Sequence, residues 1–61
     1  MDEYEVIKRL KEHLQAKKQE YGCIRGIDKN YCLHYVMDFL LISQDKAEEF
    51  LAKNIPMVAT P

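Results

Sequence analysis

The chain has 61 residues, 48% of them hydrophobic and 31% charged, with only two glycines and two prolines. That balance excludes a low-complexity or disordered chain and favours one ordered, helix-rich domain, whose core supplies only about 3–5 kcal/mol unless something staples it. Ten acids and nine bases leave a formal net charge of −1, and their interspersion provides no broad positive field to draw in a phosphate backbone.

From Asp2 to about Glu20, Val6, Ile7, Leu10 and Leu14 recur at three- and four-residue steps, and Lys17 continues the seam toward Tyr21. This spacing predicts an amphipathic helix. Asp2 followed three residues later by Glu5 resembles a capping box, Glu5 and Arg9 form a favourable pair one turn apart, and Gly22 supplies a left-handed stop. Lys8, Lys11 and Lys18 share this segment with Glu3, Glu5, Glu12 and Glu20, a mixture that reads as a solvated face. The stretch from Gly22 to Asp28 has two glycines and no helical period. It reads as a connection, extended near Ile24, with Asp28 or Asn30 capping the next helix.

A second helix is expected over residues 29–42. Its aromatic content also suits a strand, but strand alternation would put His34 and Asp38 on the same face as Cys32, Val36, Leu40 and Ile42. As a helix, Asn30, His34 and Asp38 fall on one narrow polar stripe joined only by Leu41. Tyr31, Tyr35, Phe39 and Ile42 then make an aromatic face, and Cys32, Leu33, Val36 and Leu40 an aliphatic one. Ser43 caps a third helix over 44–53, with Asp45 in its first turn and Ala47, Phe50 and Leu51 turned inward. Asn54 and Ile55-Pro56 end it, leaving 55–61 as a tail without evident structure.

The expected fold is therefore all-α, a single three-helix domain spanning residues 1–61. Helices one and three cover one broad face of helix two, and the aromatic face remains. Since burying a large apolar side chain contributes roughly 1.5–3 kcal/mol, leaving several aromatics wet forfeits much of the stability of so small a domain. A two-fold homodimer is the simplest remedy, because identical subunits guarantee that a self-complementary patch meets itself. Tyr31, Tyr35, Phe39 and Ile42, with Ile7, Leu10 and Leu14 of helix one, are the candidate partner-binding residues.

No motif forces a chemistry. His34 and Asp38 lie one helical turn apart, where a carboxylate could orient an imidazole, but neither a pocket nor a nucleophile accompanies them. Cys23, Cys32, His13 and His34 are zinc-type ligands without zinc-type spacing, and on one helix Cys32 and His34 point about 200° apart. Cys32 reads as a small buried hydrophobe and Cys23 as a loop thiol. The Gly22 to Gly26 stretch lacks the Lys-Ser/Thr ending of a phosphate-binding loop, although Arg25 and Lys29 could meet an anion at the start of helix two. A helix-turn-helix reading fails because Asp45, Glu48 and Glu49 would face the polyanion and residues 55–61 cannot supply a recognition helix.

The sequence thus predicts a non-enzymatic interaction or regulatory module without cofactor or metal, homodimeric and bound to a protein partner of unspecified identity. The alternative is a dimeric nucleic-acid-associated regulator that juxtaposes the Lys8, Lys11 and Lys18 stripes, a surface whose binding would fall steeply with salt. Two cysteines are too few for a secreted disulfide framework, the first residues lack a signal-peptide pattern, and no run approaches the ~20 apolar residues of a membrane span. A soluble, cytoplasmic protein is expected.

Overall fold

Asp2 opens the first helix through its side chain. In the computed structural model, which describes residues 2–59, its carboxylate accepts the Glu5 amide at 2.8 Å, and α1 runs over Glu3–Tyr21. The Glu5 carboxylate is engaged one turn on by Arg9, whose Nε donates to Oε2 at 3.0 Å. Gly22 ends the helix at φ 80°, where its amide donates to the Lys18 carbonyl at 2.7 Å. Glycine populates that region without steric penalty.

The second helix, α2, spans Gly26–Leu40 and so begins three residues earlier and ends two residues sooner than its apolar pattern predicts. Arg25, not Asp28 or Asn30, is the cap residue. Asp28 sits inside the first turn and accepts the Arg25 amide at 3.2 Å, a reach-back bond that starts the helix from within. At the other end Leu41 takes the left-handed conformation, φ 55°, which turns the chain and carries Ile42 away from the helix.

Ser43 caps α3, Gln44–Asn54, with its hydroxyl accepting the Lys46 amide at 3.4 Å. Beyond it the structure corrects the expectation of an unstructured tail over residues 55–59, while positions 60 and 61 of that expected tail lie outside the described residues. Pro56–Ala59 form a short helix, α4, and Ile55 and Val58 are buried. Pro56 reads as a helix stop, yet at the first position of a new helix its missing N–H leaves no bond unmade and its fixed φ suits the turn.

Val6, Leu10 and Leu14 of α1, Cys32 and Val36 of α2, Ala47 and Leu51 of α3, Ile55, and Val58 of α4 form one core cluster. α2 packs against α1 and α3, and α4 folds back on α3. The radius of gyration is 10.8 Å, against about 10.5 Å for a compact chain of this length. The accessible surface is 4336 Å², against about 4,100 Å² for a folded protein of this mass. A single copy therefore closes its own core. The all-α expectation holds, with no strand among the described residues.

Candidate functional site

α1 and α2 run antiparallel, and the flank where they meet carries an aromatic ladder. His13 of α1 stacks on Tyr31 with centroids 4.2 Å apart and planes at 20°; Tyr31 stands 5.9 Å from Tyr35, and Tyr35 stands 4.5 Å from Phe39. The three α2 rings recur every four residues, so one turn of helix sets each against the next. Tyr31 and Phe39 remain 45% and 47% exposed, whereas Tyr35 is half-buried. α1 contributes a polar edge: Arg9, paired with Glu5, also touches Tyr35, and both contacts favour its guanidinium charge, Glu5 more than Tyr35.

A polar knot closes the lower end of this ladder. Asp28 is only 3% exposed; it accepts the Nε of Arg25 at 3.0 Å and the Nη2 at 3.4 Å. The Arg25 guanidinium holds the Asp28 carboxyl below the usual carboxylate range, against the opposing effect of burial. Arg25 is itself laid over the Tyr21 ring, 3.6 Å from its centroid, with the Lys17 ammonium 5.8 Å from the same ring. Charged groups stacked on an aromatic face and clamped by a carboxylate make a rigid corner. His13 Nε2 faces Asp28 Oδ1 from 3.8 Å, beyond hydrogen-bond length, and makes no hydrogen bond. The α2 amino terminus, which the sequence offered to an anion through Arg25 and Lys29, is occupied by Asp28.

The candidate partner-binding residues divide on this surface. Tyr31, Tyr35 and Phe39 do share a flank. Leu10 and Leu14 do not join them: both are wholly buried in the core of the one chain, and Ile7 is half-buried. Ile42 leaves the aromatic face because α2 ends at Leu40; it lines a groove with Leu40 and Phe50 on the α3 side. Lys8, Lys11 and Lys18 are exposed. Lys11 and Lys18 line one depression with Met57 of α4, on the flank of α1 turned away from His13 and the ladder. The basic stripe and the aromatic ladder are thus separate surfaces.

His34 and Asp38 are both exposed on the outward side of α2. Cys32 is buried, and burial first, then the nearby Asp28 charge, pushes its thiol up to about 11, which keeps it protonated and a poor nucleophile. Cys23 is exposed, and neither cysteine is in a disulfide. Among the described residues no group of three His, Cys, Asp or Glu side chains is placed to hold a metal ion, and no helix is long and apolar enough to cross a membrane.

Sequence reasoning missed the knot of His13, Arg25 and Asp28 and the exposure of Ile27, whereas it already sets Leu41 on the polar stripe of the second helix. Ile27 and Leu41 are 68% and 88% exposed at opposite ends of α2. The signal for the knot was present, an acid three residues after the cap position. Nothing local announces the left-handed backbone of Leu41, because a leucine in that region follows no residue preference. No family model matches the chain, and neither the curated proteins nor the solved structures provide a match.

Proposed function

We propose that the protein is a small helical interaction module that works as a homodimer in the cytoplasm and carries out no catalysis of its own. The observation that supports this reading is the ladder: Tyr31 and Phe39 are about half exposed although the core beneath them is closed. Folding alone leaves these rings without full cover, and aromatic side chains held in place by their neighbours are the usual anchors of protein contacts. Tyr31 is braced by His13 and Tyr35, and Tyr35 by Phe39, so little side-chain freedom is lost when a partner arrives.

The test is solution mass. The wild-type chain is expected to sediment as a dimer at micromolar concentration, and Tyr35→Glu or Phe39→Glu is expected to yield a folded monomer, since a charge on the seam loses its water without gaining a partner. A wild-type chain that stays monomeric at millimolar concentration overturns the proposal.

A further inference from the structure

The flank of α1 turned away from the ladder carries a row of bases that the fold leaves without counter-charges. Tyr4, Lys8, Lys11, Gln15 and Lys18 follow one another at alternating steps of four and three residues within α1, and all five are exposed. That spacing sets them in one stripe along the helix. On the opposite flank the charges pair locally, Arg9 with Glu5 and Lys17 with Glu20. Two acids of α1 are thereby engaged on that side, and among the described residues Lys8, Lys11 and Lys18 take no ion pair. Glu12 borders the stripe one turn beyond Lys8, which leaves Lys11 and Lys18 as the uncompensated pair.

Between these two lysines the surface dips. They flank a depression of about 530 Å³ completed by Leu14, Gln15 and Gln19 of α1 and by Met57 of α4. No acid lines it, whereas Glu48 lines the depression beside Lys29, and Glu3 and Glu49 line the groove beside Leu40. Met57 is 45% exposed, and its unbranched side chain adapts to whatever it meets. The result is an apolar floor between two positive charges that stand two helical turns apart, about 10.5 Å at 1.5 Å per residue.

Resting on the interaction-module reading but not on the dimer, we infer that this depression docks a short acidic helix of a partner protein. That helix carries two carboxylates two turns apart, with an apolar side chain midway. Charge complementarity names the occupant: each carboxylate meets an unpaired lysine, and the apolar side chain covers Met57 where water otherwise lies. Laid along α1, such a helix repeats the two-turn spacing of Lys11 and Lys18. A nucleic acid suits the site less. Its phosphates run on past two lysines toward Glu12, and its backbone sets nothing apolar against Met57.

Fluorescence anisotropy near physiological salt tests the site with a labelled synthetic helix bearing two glutamates two turns apart and a leucine midway. Lys11→Gln and Lys18→Gln are each expected to weaken binding about threefold. The Lys11→Glu/Lys18→Glu variant should lose about tenfold or more, and should bind instead a peptide whose glutamates are replaced by lysines. The same charge change on α3, Lys46→Glu/Lys53→Glu, should leave binding within about twofold, since screening confines each charge to about 8 Å. All four lysines are exposed, and circular dichroism should show unchanged helix. Replacing the peptide's leucine by alanine should cost about fivefold, because Met57 is then left wet. Equal losses in the two double variants overturn the inference, as does tighter binding of a single-stranded oligonucleotide or an anionic phospholipid vesicle than of the peptide. If the peptide fails to bind a wild-type chain that sediments as a dimer, the docking site falls and the homodimer reading stands. If it binds a chain that stays monomeric, the docking site stands and the homodimer reading falls.

Discussion

The two sides of α2 are built by different rules. On the inner side Cys32 and Val36 meet Val6, Leu10 and Leu14 with no exposed surface, and every residue there contributes to closing the core. On the outer side, four residues or fewer away, Ile27, Tyr31 and Leu41 stand in solvent and His34 and Asp38 lie between them. The inner side explains why the chain folds. The outer side carries residues that folding does not need.

The sharpest break in this contrast comes from truncation. Leu10→Ala, which opens a cavity in the core, is expected to cost about 2–5 kcal/mol, comparable with the entire stability of a domain this size. Ile27→Ala on the outer side should change the monomer by no more than about 0.5 kcal/mol. Urea titration of dilute protein checks both, and similar losses from the two variants would erase the distinction.

Acid tests the corner where the two sides meet. Because the folded Asp28 carboxyl titrates below its ordinary value near 4, its contribution is complete above that pH. It is lost as pH falls through the lower folded value. Asp28→Asn should therefore be less stable than wild type at neutral pH and should lose less on acidification below about pH 4, as read from thermal melts across pH.

One further effect has the opposite sign. Leu41→Gly removes a left-handed strain at no packing cost and should stabilise the monomer by about 0.5–1 kcal/mol, an upward shift of a few degrees in Tm for a chain of this length. A loss of stability would mean that the leucine serves the fold after all.

What was legible in the sequence was local. Asp2, Gly22 and Ser43 each act on backbone groups within three or four residues, so their types alone announce the ends of α1 and the start of α3. The α1 periodicity likewise points Val6, Leu10 and Leu14 inward, though their close fit against Cys32 and Val36, which removes them from any partner surface, requires the packed chain. Arg25 escaped notice because arginine is no usual cap; Asp28 does that work from the third helical position. Ile55 and Val58 escaped because Pro56 ends one helix and begins another with the same chemistry. His13 reached Tyr31 across two helices, a contact that no spacing within one helix can reveal.

The burial of Ile55 and Val58 also governs how the molecule comes apart. Both touch the same cluster as the inward leucines of α1, so a hairpin of the first two helices, detached from α3 and α4, is left with a bare oily floor. No stable half exists for an opening event to stop at. Amide exchange along α1 and α3 should thus share one protection limit, with the molecule melting as a single cooperative unit rather than fraying helix by helix.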